Sequence, residues 1–128
     1  MNGSLREVLN EVAGQLPGCL HTSVIDSQTG LALVSISEVD PLDAAGTDAY
    51  HNDLYRLTAL ALQDSPLSQQ VHEVVLTSEE ATFVSVPVDD SGYRWLVVTR
   101  SDATVGFVQA LMRKHVARIG ESLTPLMQ

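Results

Sequence analysis

The 128-residue sequence has one cysteine, Cys19, and few aromatic residues, which make up 5% of the chain. A single cysteine excludes a disulfide within the chain and favours a reducing, cytoplasmic setting. No apolar run approaches the roughly 20 residues that a membrane-spanning helix needs, so we expect no insertion into a membrane. The N-terminal segment MNGSLREVLNEVAG has acidic residues where a secretory signal has a basic start and an apolar block.

Positive charge is also scarce, since 7 lysines and arginines stand against 16 acidic residues, for a net charge of −9. Such a balance argues against nucleic acid as the main partner. Most of the basic residues follow position 93, where they meet only Asp102 and Glu121 as acids. The sequence therefore predicts one acidic surface and a mildly basic final helix. This asymmetry can steer a protein partner, although an ordinary soluble surface explains it equally well.

Hydrophobic periodicity and turn residues predict the order helix, strand, strand, helix, strand, strand, strand, helix. The first helix ends before Pro17-Gly18, and the last begins near Ser101 or Asp102. The second runs from Pro41 to about Gln63, with Asp40 as its N-cap and Pro41 at the first helical position. The predicted strands cover about 20–26, 31–37, 71–77, 81–88 and 93–99, with a loop at 64–70. Segments such as FVSVPV and WLVV are apolar on both faces, which indicates a sheet covered on both sides.

These elements predict one α/β domain over residues 1–128. Its five mainly antiparallel strands have one helix on one face and two on the other.

The stretch VIDSQTGLALVSIS, residues 24–37, is predicted to be a hairpin. Asp26 ends its first strand, where a carboxylate can bond to backbone amides in the turn, and Gly30 supplies a turn residue. Ser27 and Thr29 have no nearby lysine or glycine run to cradle a phosphate. We therefore assign Asp26 and Gly30 a structural role in the turn.

The sequence offers no convincing catalytic or metal-binding constellation. None of its four histidines, His21, His51, His72 and His115, has the spacing of a metal-binding pair. His21 and His72 fall in predicted strands, where half-buried or edge positions are more typical than metal ligation. In the segment HNDLYR, His51 and Asp53 point in different directions on a helix, which favours a solvated face. The chain has no P-loop, nucleophile elbow or dinucleotide-type glycine pattern. We therefore expect neither an enzyme nor a cofactor-binding protein.

The second helix has more apolar surface than one small sheet can cover. Two neighbouring stripes run along it. The first stripe comprises Tyr50, Leu54, Leu57 and Ala61, and the second comprises Leu42, Ala45, Ala49 and Leu60.

The order of elements, together with the segment LPGCLHTSVIDSQTGLALVSIS, resembles the Roadblock/dynein light-chain family. Pro17-Gly18 before the first strand, Asp26 near its end and Gly30 in the turn are typical of that family. The similarity continues through VPVDDSGYRWLVVTRSDATVGFVQALMRK, which resembles the family's last two strands and final helix. It covers nearly the whole chain.

This resemblance implies a profilin-like Roadblock fold that forms homodimers. In the family, the second helices pack together and the third strands pair across a two-fold axis. A dimer would cover the surplus helix stripe and the otherwise open apolar strand VHEVVLT, whereas the alternative is a long loop over that edge. The implied interface residues are Tyr50, Leu54, Leu57, Ala61, Val71, Glu73, Val75 and Thr77.

The resemblance also implies a non-catalytic module that regulates or scaffolds a Ras-like small GTPase. Bacterial members of this size resemble the gliding-motility polarity regulator, a GTPase-activating partner in which the GTPase itself carries the catalysis. An adaptor subunit of a larger complex is a second possibility. A third is a small-molecule sensor of the PAS or GAF type, with Phe83, Tyr93 and Trp95 lining a pocket, although such aromatic residues more often form a core.

Overall fold

The structure of the chain is a computed structural model that describes residues 2–66 and 71–123. Eight elements follow one another in the predicted order. Their bounds are α1 Asn2–Gln15, β1 Cys19–Asp26, β2 Ala32–Ser37, α2 Pro41–Leu62, β3 Val74–Thr77, β4 Ala81–Pro87, β5 Tyr93–Arg100 and α3 Val105–Leu123.

The strands form one five-stranded sheet in the order β2-β1-β5-β4-β3, and all neighbouring pairs are antiparallel. The two edges are β2 and β3. Helices α1 and α3 pack together on one face, and α2 lies on the other. The predicted fold class, with its distribution of helices over the two faces, is therefore confirmed.

The apolar core is concentrated on the face covered by α1 and α3. Alternate residues of the central strands point into it, as period-two side chains must. Its largest fully buried side chains are Leu5, Leu9, Trp95, Met112, Ile119 and Leu123. The face beneath α2 holds only a small buried apolar cluster of Ile25, Leu96 and Val98. Helix α2 must therefore be held to the sheet by other means.

Local polar contacts fix the ends of the elements around α2. Asp40 Oδ1 accepts a hydrogen bond from the backbone N of Leu42 at 2.9 Å, and Pro41 takes the first helical position; this is the expected N-cap. In the β1–β2 turn, Asp26 Oδ1 accepts from the backbone N of Gln28 at 2.9 Å. Gly30 has φ of +77°, which suits a residue without Cβ. Asp26 and Gly30 thus shape this turn.

Two predicted boundaries were wrong. Helix α3 begins at Val105 rather than near Ser101 or Asp102, because the segment before it forms a turn in which the backbone N of Ser101 bonds to the carbonyl of Glu80 at 3.1 Å. Strand β3 begins at Val74 rather than at residue 71. In the predicted loop 64–70, residues 67–70 lie outside the described part of the chain. Over the described ranges, no helix is long and apolar enough to cross a membrane.

Candidate functional site

Helix α2 turns a polar face towards the sheet. Its buried residues are Ala44, Asp48, His51 and Asn52. At 3.6 residues per turn, these positions share one side of the helix. The surface between α2 and the sheet is therefore a layer of hydrogen-bonded polar groups, which is unusual because the inward face of a helix is normally apolar.

Asp48 anchors one end of this layer. It is 2% exposed, and its Oδ1 accepts a hydrogen bond from Ser23 Oγ at 2.6 Å and another from His21 Nε2 at 2.7 Å. These donors compensate the desolvation of a buried carboxylate. His21 is thus buried within the sheet, rather than half-buried or at an edge as its sequence context indicated.

His51 forms the middle of the layer, and its predicted solvated position was wrong. The side chain is buried, its Nε2 lies 2.7 Å from Ser85 Oγ, and its ring stacks on Phe83 with centroids 6.5 Å apart. Burial, reinforced by the positive charge of Arg94, lowers the pKa of His51 to about 4. His51 is therefore neutral at pH 7.

Arg94 supplies the donors at the other end of the layer. Its Nη2 donates to Ser85 Oγ and Ser85 O at 3.0 Å each and to His72 O at 2.9 Å, and the guanidinium lies 4.3 Å from the centroid of the Tyr55 ring. Burial lowers the pKa of Arg94. Since Arg94 already donates to Ser85 Oγ, we assign the hydroxyl proton to a bond towards His51 Nε2, which leaves the ring proton on Nδ1.

Two further contacts join α2 to the β1–β2 turn. Asn52 Nδ2 donates to Ser27 O at 2.9 Å, and Arg56 Nη1 donates to Gln28 O at 3.0 Å. A Cβ on Gly30 would lie 3.5 Å from Asn52 Nδ2. The turn is therefore a docking point for the helix as well as the end of a hairpin.

This polar layer is poorly placed for catalysis. In the described part of the chain, the hydroxyl that bonds to His51 belongs to Ser85, which is 0% exposed, so a substrate could reach it only if α2 were displaced. No group of three metal-ligating side chains is present in residues 2–66 and 71–123. Phe83 lies beneath α2, whereas Trp95 and Tyr93 belong to the core on the opposite face. The three aromatic residues proposed for a sensor pocket therefore do not line one cavity.

The outward face of α2 is largely apolar. Tyr50 is 78% exposed and Leu57 is 67% exposed. Tyr50, Leu57 and Ala61 lie within about 40° of one another around the helix, roughly opposite Asp48. The other exposed large apolar side chains of the helix are Leu42, Leu54, Leu60 and Leu62. The large side chains of both apolar stripes seen in the sequence are thus exposed. The buried polar residues hold the helix from its opposite side.

The outward face of α2 continues onto edge strand β3. Val75 and Leu76 are 41% and 43% exposed, and among the described strands β3 pairs only with β4. A groove of about 230 Å³ runs between helix and strand, lined by Thr47, Tyr50, His51, Leu54, Leu76 and Phe83. We call the outward face of α2 together with β3 the α2–β3 surface. It is the candidate functional site, because contiguous exposed apolar area of this kind marks interaction surfaces.

The structure brings most of the predicted interface residues to this surface. Tyr50, Leu54, Leu57, Ala61, Val75 and Thr77 are all exposed there. The remaining two, Val71 and Glu73, are half-buried and precede β3 instead of belonging to it. Glu73 Oε2 accepts a hydrogen bond from Gln109 Nε2 of α3 at 2.8 Å, which directs its carboxylate towards that helix.

Sequence reasoning missed the polar layer, although a signal for it exists. Asp48, His51, Asn52 and Tyr55 recur at intervals of three and four residues, which is the spacing of one helix face. His21 and Ser23 alternate along β1 in the same way along one face of a strand. Hydrophobicity alone favours burial of one of the two apolar stripes against the sheet, because burial usually follows hydrophobicity.

No protein-family model matches this sequence, and no curated protein matches it. Among solved structures, the chain is similar to the Roadblock/LC7 domain from Streptomyces avermitilis, with a TM-score of 0.79 and 19% identity over 96% of this chain and 98% of that chain. It is similar to Myxococcus xanthus MglB, with a TM-score of 0.83 and 9% identity over 99% and 92% of the two chains. An MglB structure with a tetrameric arrangement gives a TM-score of 0.80 and 15% identity over 94% and 88%.

These similarities extend over nearly the whole length of each chain. The chain therefore has the Roadblock/LC7 fold, and the resemblance found in its sequence is confirmed at the level of the fold.

Proposed function

We propose that this Roadblock-fold chain is a homodimeric interaction module. Two copies join through their α2–β3 surfaces, and the dimer regulates or scaffolds a Ras-like small GTPase. The chain contributes a shaped protein surface to this function and no catalytic side chain of its own.

The outward apolar face of α2 is the observation that carries this proposal. Leaving large apolar side chains in water forgoes about 25 cal/mol for each Å² that could be buried. The polar layer beneath the helix already fixes its inward side through Asp48, His51 and Asn52. The described part of the chain leaves Tyr50, Leu57 and Leu60 uncovered, and a second protein surface would bury them.

Edge strand β3 supports a symmetric arrangement. Its outer backbone groups have no strand partner among the described residues, and an exposed apolar edge readily pairs with another chain. A two-fold axis beside β3 would place each copy's strand against the other's and bring the two α2 helices together. A single two-fold axis would then cover both the outward face of α2 and the exposed edge of β3.

The GTPase partner rests on the family resemblance and on the likeness of the fold to MglB. It is tested by biolayer interferometry with the immobilised dimer and the Ras-like GTPases of the same genome, each loaded with GDP or with a non-hydrolysable GTP analogue. We expect micromolar or tighter binding of at least one GTPase, with a preference for one nucleotide state. Single-turnover GTP hydrolysis with and without the dimer then distinguishes an activator from a scaffold.

If no GTPase binds in either nucleotide state, the GTPase proposal is contradicted. The proposal of self-association would not be affected by that result. A denatured and refolded sample with the native circular dichroism spectrum should bind equally well, which controls for a carried-over contaminant.

A further inference from the structure

A second groove lies at the opposite edge of the sheet from the α2–β3 surface. It runs between β2 and the first half of α2 and has a volume of about 510 Å³. We call it the α2–β2 groove. Its lining includes Leu31, Val39 and Ala45 as apolar groups, Ser35 and Ser37 from β2, and the carboxylate of Asp48.

Asp48 gives this groove an anionic wall. Both of its hydrogen bonds from described residues go to Oδ1. Its second oxygen, Oδ2, receives none from the described chain, although a carboxylate oxygen has two lone pairs to offer. A buried carboxylate with free acceptor capacity beside an open groove favours a cationic hydrogen-bond donor, which such a site binds more strongly than a neutral one.

The β2–α2 end of the groove has the same negative sign. Glu38 and Asp40 are exposed at the β2–α2 junction that closes one end of it. No lysine or arginine is among the residues that line it. The apolar part of the lining suits the methylene stem of a long side chain, and the acidic part suits a charged head group, which together describe lysine or arginine.

Strand β2 offers a backbone template beside the groove. It is an edge strand that pairs only with β1 among the described strands. Ser35 lies opposite Ser23, whose hydroxyl bonds to Asp48, so alternate β2 side chains face the groove. An extended segment added to β2 would likewise direct every second side chain into it.

One contact already occupies this edge. Arg6 Nη1 of α1 donates to Ser35 O at 3.4 Å. The bond is long and the side chain is exposed, so it is weak and displaceable. An arriving strand would compete with Arg6 for this carbonyl.

We propose that the α2–β2 groove docks an extended basic segment of a partner protein. The segment adds as a strand to β2, and one of its lysine or arginine side chains reaches Asp48. The proposal requires neither the dimer nor the GTPase, and the groove lies at the sheet edge opposite β3.

The test is an NMR titration of the ¹⁵N-labelled protein with the peptide Ac-VKVKVK-NH2, and with Ac-VEVEVE-NH2 as the matched control. We expect the lysine peptide to shift the amides of 32–37 and 41–48 and to bind more weakly as salt is raised, because the attraction is partly electrostatic. We expect the glutamate peptide to produce no shifts in these segments. Shifts confined to 74–77, or equal binding of both peptides, would overturn the proposal.

Variants test the role of charge. Asp48→Asn should reduce lysine-peptide affinity at least tenfold, since it removes the charge of a desolvated pair. Because Asp48 also holds α2, Asp40→Asn provides a second test at an exposed site between the groove-lining residues Val39 and Pro41. Asparagine keeps the N-cap and removes the charge, and an affinity loss of about twofold is expected. Arg6→Ala should strengthen binding by freeing Ser35 O. Unchanged affinity in a folded Asp48→Asn protein, or in Asp40→Asn if Asp48→Asn does not fold, would rule out the proposed docking mode.

Discussion

At the scale of single residues, a few buried and hydrogen-bonded side chains hold the polar layer beneath α2 in place. Asp48 receives two donors, and Ser85 links Arg94 to His51. Removing one partner from such a network leaves another buried group without a bond, which costs about 1–3 kcal/mol. These residues therefore determine where α2 sits, and through it the orientation of the α2–β3 surface.

The stability of the protein should fall on acidification through His51. The folded pKa is about 4 and the unfolded value about 6.5, so the unfolded chain binds the proton first as the pH falls. The stabilisation is fully present above pH 6.5 and is lost progressively down to pH 4. By pH 5 we expect a loss of about 2 kcal/mol in the free energy of unfolding, measured by urea titrations at pH 7, 6 and 5.

His51→Gln should flatten this dependence, with a residual slope from His115, whose pKa burial also lowers. The matched control is His72→Gln at an exposed position, which should retain the steep slope because Arg94 contacts only the backbone carbonyl of that residue. If His51→Gln kept the wild-type slope from pH 7 to 5, titration of His51 would not be the cause.

At the scale of elements, α2 reverses the usual arrangement of an amphipathic helix. Hydrogen bonds hold its inward face, and leucines and a tyrosine cover its outward face. A helix of this kind is held on its sheet by hydrogen bonds. Its exposed apolar side chains remain available, and their burial would favour association with a second protein surface. Strand β3, only four residues long, adds a short edge that a second copy can extend.

Charged substitutions on the α2–β3 surface should weaken the dimer. Leu57→Glu places a charge in the centre of the apolar face, and we expect it to raise the dimer dissociation constant at least tenfold because a desolvated, unpaired carboxylate is costly. Val75→Asp should act in the same direction on the β3 edge. Sedimentation velocity over a concentration series measures both effects.

Leu31→Glu is the matched control, since Leu31 is an equally exposed leucine at the β2 edge. It should leave the dissociation constant unchanged. Equal weakening by Leu31→Glu and Leu57→Glu would show that the effect is general rather than specific to the α2–β3 surface.

Periodicity predicted the elements themselves well, because each strand and helix carries its pattern in its own residues. The cap Asp40-Pro41 placed the start of α2 correctly for the same reason. The start of α3 and the length of β3 were wrong, since a turn bond from Ser101 and a contact from Glu73 to α3 depend on distant parts of the chain. His51 was assigned to the solvated face because its partner Ser85 is 34 positions away.

At the scale of the whole molecule, the apolar α2–β3 surface lies at one end of the sheet and the acidic α2–β2 groove at the other. A dimer formed through β3 would carry two such grooves at its outer edges. Self-association and recruitment of a basic segment would then use separate surfaces and need not compete.

The protein should behave as a dimer in solution. Size-exclusion chromatography with light scattering should give about twice the monomer mass of 13.8 kDa at micromolar concentration. The midpoint of thermal unfolding should also rise with protein concentration, because association stabilises only the folded state. A monomer mass with a concentration-independent midpoint would remove the basis for the α2–β3 dimer.

The sequence by itself determined the order of the elements, the sheet with helices on both faces, and the surplus of apolar surface on α2, since these depend on local spacing and composition. Only the tertiary structure decided which side of α2 is buried. That choice depends on Ser23, Ser85 and Arg94, which lie far from α2 in sequence and meet it only when the sheet is assembled. The hydrogen bonds among these groups join residues from separate segments of the chain, so no single segment predicts them. Because they hold the polar side of α2 against the sheet, the apolar side of the helix stays exposed.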